Sequence, residues 1–319
     1  MQYRKLGSSE FEISRIGFGA WAAGGGGWAF ALGPQDDAES IAAIHRAVDL
    51  GINWIDTAPL YGLGHSEKIV AKAIDGMSDP PHVFTKCGMP QDDHGRIIHS
   101  LKRESIRREC HASLRRLRVD VIDLYQIHWN KPPEEIEEGL EAVAELQREG
   151  KIRYIGVSNF DRDELKLAVE IAHPVSLQPP YSLLDREVEA EILPFCGQNN
   201  IGVMIYSPMK SGLLSGKMTR QRINAFAEDD LRRAKPEFQE PQLSANLAVV
   251  DKLSERATRK QCTPAEVAVA WTLRNPYVDA AIVGMRRPDQ VDGIAGAVDV
   301  ELTETDLSEI ESMLPDLQN

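Results

Sequence analysis

Short apolar runs alternate with longer amphipathic stretches along the whole chain, the pattern that repeated strand–helix units leave in a sequence. Eight runs predict strands: Arg15–Ala20, Asn53–Thr57, Val83–Cys87, Val121–Trp129, Ile152–Ser158, Val175–Gln178, Gly202–Tyr206 and Ala280–Val283. Helical periodicity fills the intervals at Asp37–Leu50, Ser66–Asp75, His99–Leu117, Pro133–Arg148, Asp161–Ile171, Asp185–Asn199, Gln242–Arg274 (broken near Thr263-Pro264) and Asp289–Val298. Punctuation agrees with the periods. Gly150 supplies a left-handed stop after one helix, and Thr263-Pro264-Ala265-Glu266 starts another with a capping Thr, a first-turn Pro and a Glu three residues on.

Eight parallel strands joined by right-handed helical crossovers close readily into a ring. The fold predicted is therefore α/β, a (β/α)8 TIM barrel, with an open doubly wound sheet as the competing geometry. No Pro/Ser/Gly-rich linker interrupts the series, so residues 1–319 are read as one barrel domain. Two segments fall outside the repeat. Tyr3–Leu6 and Phe11–Ile13, around Gly7-Ser8-Ser9, predict an N-terminal β-hairpin capping the barrel floor. Ser207–Pro241 predicts a long polar loop after the seventh strand, and a loop of that length in a compact domain is usually functional.

The 319 residues suffice for a barrel of about 250 residues with insertions. A net charge of −13 opposes nucleic acid or an anionic membrane as partner, so an anionic ligand must be met by locally gathered cations. Cys87, Cys110, Cys196 and Cys262 lie far apart without C-x-x-C spacing, as reduced thiols of a cytoplasmic protein do. The first residues are too short and polar a stretch for a signal peptide. No run approaches about 18 unbroken apolar residues, so no membrane span is expected. His45, His65, His94, His99 and His111 lack a ligand spacing such as H-E-x-x-H, and no metal is expected. The oligomeric state is not legible.

In such a barrel the reactive groups sit at the C-terminal ends of the strands. Asp56 closes the second strand, Lys86 the third and His128 the fourth, with Tyr61 five residues after Asp56. Taken singly, each has an ordinary structural role: a cap, an edge lysine, a packed histidine, an interfacial aromatic. Four polar groups delivered to one rim by three consecutive strands point instead to a catalytic cluster. Further motifs span the chain: Asp56-Thr57-Ala58-Pro59-Leu60-Tyr61-Gly62 with Ser66-Glu67, Arg115-Arg116-Leu117 before Val119–Leu124, and Gly156-Val157-Ser158-Asn159-Phe160.

These segments resemble the aldo-keto reductase superfamily, whose Asp, Tyr, Lys and His tetrad matches Asp56, Tyr61, Lys86 and His128. The Tyr-Gly-x-Gly-x-Ser-Glu form is similar to the subgroup of bacterial NADPH-dependent reductases and potassium-channel β subunits. The resemblance implies hydride transfer from NADPH, with NADH as an alternative, to a small-molecule carbonyl. Tyr61 is then the general acid, its pKa expected to be lowered by Lys86, which Asp56 holds charged; His128 donates to the carbonyl oxygen. At the cofactor the resemblance implies Ser158, Asn159 and Gln178 on the nicotinamide amide, Tyr206 stacked on its ring, and Ala20, Trp21 and Asp56 nearby. Ser207, Pro208, Met209, Gly212, Leu214 and Lys217 follow along the diphosphate. Gly284, Arg286 and Gln290 lie at the adenosine end, where the pair Arg286-Arg287 favours a 2′-phosphate. Relatives often carry Glu-Asn near the adenine, where this chain has Gly293-Ile294. Trp21, Trp28, Tyr61, His128 and Trp129 are expected around the substrate, with Gly24-Gly25-Gly26-Gly27 a mobile loop placing Trp28. Other readings stay open: a dehydrogenase working in the oxidative direction, a cofactor-binding regulatory subunit with little turnover, and a barrel aldolase using Lys86 as a Schiff-base lysine.

Overall fold

The computed structural model describes residues 1–314; the end of the predicted 1–319 domain, residues 315–319, lies outside the described residues. Two antiparallel strands, β1 (Tyr3–Lys5) and β2 (Glu12–Ser14), form the expected hairpin. Eight further strands follow: β3 (Ile16–Gly19), β4 (Trp54–Asp56), β5 (His82–Cys87), β6 (Ile122–Ile127), β7 (Ile152–Ser158), β8 (Ser176–Gln178), β9 (Gly202–Tyr206) and β10 (Ala280–Gly284). Every neighbouring pair is parallel, and β10 pairs with both β9 and β3, closing the barrel. Around it lie α1 (Asp37–Asp49), α2 (His65–Ile74), α3 (Arg103–Leu117), α4 (Ile136–Arg148), α5 (Arg162–Ile171), α6 (Ile192–Gln198), α7 (Arg220–Asn224), α8 (Gln242–Lys260), α9 (Pro264–Leu273), α10 (Pro288–Ala295) and α11 (Glu304–Glu311). Among the described residues no helix is long and apolar enough to cross a membrane.

Alternation along the strands explains how one barrel carries both a core and a site. Successive side chains of a strand point to opposite faces, so residues two apart share a face. Trp54, Phe84, Leu124 and Met204 pack with Leu6, Phe11 and Ile13 of the hairpin into an apolar plug at the floor. Two residues further along the same four strands stand Asp56, Lys86, Gln126 and Tyr206. The plug is tight: a Cβ on Gly17 would lie 2.2 Å from the Trp54 indole.

Several expected boundaries move, each for a visible reason. The helix expected from His99 begins at Arg103, because Glu135 and Glu138 take the N–H groups of Leu101 and Arg103. Pro133–Glu135 is a 3-10 turn ahead of α4, and the segment expected from Asp185 reduces to a 3-10 turn at Glu187–Glu189 plus α6. β6 stops at Ile127, so His128 and Trp129 lie just beyond it, with the His128 N–H still bonded to the Cys87 carbonyl at 3.0 Å. α11, capped by Thr303 and Asp306, lies beyond the elements predicted. The largest correction concerns Ser207–Pro241. Instead of a bare polar loop, it winds through α7 and three 3-10 turns around a satellite core of Leu213, Met218, Ile223, Phe226 and Phe238.

Candidate active site

Parallel strands bring their C-terminal ends to one rim, and Asp56, Lys86 and Tyr61 meet there. Lys86 Nζ donates to Asp56 Oδ1 at 2.6 Å, to the Thr57 carbonyl at 2.9 Å and to the Tyr61 hydroxyl at 3.4 Å. The other carboxylate oxygen, Asp56 Oδ2, accepts the amides of Gln178 at 2.8 Å and Gln126 at 3.2 Å. Gln178 also donates to Gln126 Oε1 at 3.1 Å. Ammonium and carboxylate are both buried, a costly arrangement unless their remaining protons and lone pairs find partners. Here three ammonium protons have three acceptors, and both carboxylate oxygens are bonded.

Tyr61 stands on a turn held by close backbone packing. A Cβ on Gly62, whose φ is +60°, would lie 2.1 Å from the Gly24 carbonyl oxygen. The first of the four consecutive glycines is therefore a contact residue, at the end of a 3-10 turn over Ala22–Gly24. Trp21 stacks on the Tyr61 ring at 5.8 Å, Trp28 lies 6.4 Å away, and His128 meets it edge-on at 5.9 Å. Trp129 joins the same apolar cluster, together with Leu60 and Met89.

Burial decides the protonation states. It pushes the Tyr61 phenol well above its usual value, and the charge of Asp56 and the neighbouring Tyr206 add to this. It pulls Lys86 down, while the charge and hydrogen bond of Asp56 hold the ammonium. It drives His128 well below the usual imidazole value, with Lys86 and His99 acting in the same direction. The net shift of the Tyr61 phenol is upward, against the expectation of a lowered value, because desolvation and the charge of Asp56 outweigh what the ammonium 3.4 Å away does to the phenol. The phenol stays protonated and the imidazole neutral.

Across the mouth, Ser158 Oγ donates to the Gln178 carbonyl at 2.7 Å. Asn159, in left-handed backbone at φ +63°, donates to the His128 carbonyl and accepts the Tyr206 hydroxyl at 2.9 Å. Ala20 bridges Asp56 and Ser66 through its N–H and carbonyl. After β9 the backbone is left-handed at Ser207, Lys210, Ser211 and Gly212. Such residues cluster at ligand sites because they turn successive N–H groups the same way. Pro208 is buried there, Met209 half-buried, and Lys217 and Gly284 are exposed. Leu214 is fully buried in the main core and its N–H bonds the Met209 carbonyl, so it offers no contact to a ligand. Arg286 turns toward residues 32–35, Gln290 Oε1 accepts the Arg286 N–H at 2.7 Å, and Arg287 pairs with Asp289.

Sequence reasoning missed four residues here. Gln126 gave no signal, being one polar position in an apolar strand. Lys210 gave none beyond its place after the seventh strand, whereas Arg232 and Lys235 did: Arg232-Arg233-Ala234-Lys235 is a cationic run in an acidic chain. Lys235 donates to Ser211 Oγ at 3.0 Å, Lys210 pairs with Asp185 at 2.5 Å, and Arg232 pairs with Asp230 at 2.6 Å. Arg232 and Asp230 also act electrostatically on Arg286.

A parallel barrel with a buried Asp–Lys pair beside a buried phenol, and left-handed backbone across its mouth, fits an oxidoreductase of carbonyl and alcohol groups. Residues 15–315 match the model of the Aldo/keto reductase family, and the chain belongs to that family. It is an NAD(P)H-dependent oxidoreductase acting on carbonyl or alcohol groups. It is 39% identical over 317 residues to "Aldo-keto reductase YhdN" of Bacillus subtilis, covering 98% of this chain and 94% of the relative. It is 35% identical to "NADH-specific methylglyoxal reductase" of Escherichia coli, covering 98% of each. The solved glycerol dehydrogenase AKR11B4 from Gluconobacter oxydans superposes with a TM-score of 0.87 at 36% identity, over 98% of this chain and 94% of that one. The donor set fits the cofactor such enzymes use, since the left-handed turn and its cations suit a diphosphate.

Proposed function

We propose that this protein reduces a small aldehyde or ketone to an alcohol using NADPH, accepting NADH as well, with Tyr61 as general acid. The observation that carries the proposal is the chain of contacts Asp56–Lys86–Tyr61 at 2.6 and 3.4 Å, buried beneath an aromatic cluster. When bound, the nicotinamide supplies the hydride. Ser158, Asn159, Gln178 and Tyr206 would hold it, with Ala20, Trp21 and Asp56 beside it; Ser207, Pro208, Met209, Lys210, Gly212 and Lys217 would hold the diphosphate, and Gly284, Arg286 and Gln290 the adenosine end.

The chain's own side chains supply the rest. Neutral His128 donates one N–H to the carbonyl oxygen and fixes its place. Tyr61 gives its proton to that oxygen as negative charge develops there, a downhill transfer because an alkoxide is far more basic than a phenolate. Lys86 stabilises the phenolate so formed and is held in place by Asp56. Trp21, Trp28 and Trp129 exclude water. The names of the relatives, one for methylglyoxal and one for glycerol, support a short oxygenated substrate. The Schiff-base alternative loses support, because Lys86 is fully buried and its protons are all engaged. Free cysteines at all four positions agree with a reducing compartment, and we place the protein in the cytoplasm.

Tyr61→Phe tests the reading. Turnover on a good aldehyde, followed by loss of NADPH absorbance, is expected to fall about 10²–10⁴-fold, with NADPH affinity by fluorescence titration unchanged. Wild-type turnover in this variant overturns it.

A further inference from the structure

Arg286 is the cation placed at the adenosine end of the proposed cofactor site, yet its guanidinium is already engaged. Nε donates to Gln35 Oε1 at 2.6 Å, Nη1 to the Leu32 carbonyl at 3.1 Å, and Nη2 to the Pro34 carbonyl. Gln35 closes the loop by donating from Nε2 to the Arg286 carbonyl at 2.9 Å. The edge formed by Nε and Nη2 is the fork that meets two oxygens of a phosphate, and in this chain Gln35 and Pro34 fill it. The partners are neutral, so they use the donors without cancelling the charge. Arg287 is no substitute, being paired with Asp289 at 3.0 and 3.1 Å.

The segment so held also joins the mouth's other wall. The Ala31 carbonyl accepts the Leu231 N–H at 3.0 Å, and the Gly27 N–H donates to Asp229 Oδ2 at 2.8 Å. Asp36, next to Gln35, caps α1 by accepting the Glu39 N–H. Gln35 is thus anchored on both sides and reaches Arg286 from a fixed base.

We propose that Gln35 is a determinant of cofactor specificity, competing with the 2′-phosphate of NADPH for the Arg286 fork. NADH leaves the Gln35–Arg286 pair intact, whereas NADPH must displace it, so the two cofactors bind with closer affinities than an unobstructed arginine gives. The proposal rests on the reading that Arg286 faces the adenosine ribose, and three variants separate the two claims.

Kd values for NADPH and NADH are measured by quenching of tryptophan emission at one fixed ionic strength. Arg286→Leu tests the underlying reading: NADPH is expected to weaken about tenfold or more, with NADH within about twofold. If the NADPH/NADH ratio does not move in this variant, the placement of the adenosine end is wrong. Gln35→Ala frees the fork, and NADPH affinity is expected to rise about five- to tenfold while NADH stays within about twofold. Gln35→Glu puts an ionised carboxylate in the fork, and NADPH is expected to weaken about tenfold or more with NADH again nearly constant. Opposite movement of the ratio in the two Gln35 variants supports the proposal. A ratio that responds to Arg286→Leu but stays fixed, or moves the same way, in both Gln35 variants overturns it.

Discussion

At the ends of β4, β5, β6 and β8 the polar side chains are committed to one another inside the barrel: Asp56, Lys86, Gln126 and Gln178 are buried and share a closed set of hydrogen bonds. Across the mouth, around residues 27–36, 207–241 and Arg286, the cationic side chains are part-buried and tied to loop carbonyls, to a hydroxyl or to a single carboxylate. A buried charge with one partner removed costs far more than an exposed one, so the first region must be built once and kept. The second can exchange partners at small cost. Chemistry belongs in the first kind of region, and admission of a large anionic ligand in the second.

That contrast is open to direct tests. Lys86→Met strips Asp56 of its charge partner; a stability loss of about 3–5 kcal/mol in denaturant unfolding is expected, along with loss of turnover. Adding Asp56→Asn to that variant is expected to recover part of the stability, because the uncompensated charge goes. By comparison Arg286→Leu is expected to cost under about 1 kcal/mol, and equal costs at the two sites would erase the distinction. Gln126→Leu removes one donor from Asp56 Oδ2; an approximately tenfold fall in kcat at unchanged KM is expected from a loss of about 1–2 kcal/mol.

The smallest effect concerns a buried carboxyl behind β5. Glu109 accepts the Gly88 N–H and the Ser105 hydroxyl, and burial raises its pKa to about 7. Its folded-state pKa lies above its unfolded one, so its contribution to stability is present at low pH and is lost as pH rises through about 7. The contribution of Glu109 to the wild-type Tm is therefore expected to slope downward between about pH 4.5 and 7 and to level off above that. Glu109→Gln, which keeps an acceptor and cannot ionise, is expected to flatten that part of the profile.

The tetrad was legible because its signals are local. Asp56, Lys86 and His128 end apolar runs, and Tyr61 follows at a fixed short distance on a glycine-bounded turn. Ser207–Pro241 read as polar loop because its five core side chains are scattered among charges and meet only when the segment winds on itself. Gln178 was legible as a residue at the rim, but not as a ligand of Asp56, from which it is 122 positions distant.

Strand and helix periods, caps and turn residues are free-energy terms of a few neighbouring residues, and from them alone came the eight-stranded barrel, the hairpin at its floor and the residues delivered to its mouth. Which acceptor each buried donor finds is settled by ring closure, which brings Arg286 to Gln35 across 251 positions. The same closure takes the Tyr61 phenol out of water and so sets the direction of its pKa. Neither outcome has a local signature, because desolvation and pairing depend on what the rest of the chain places around a group.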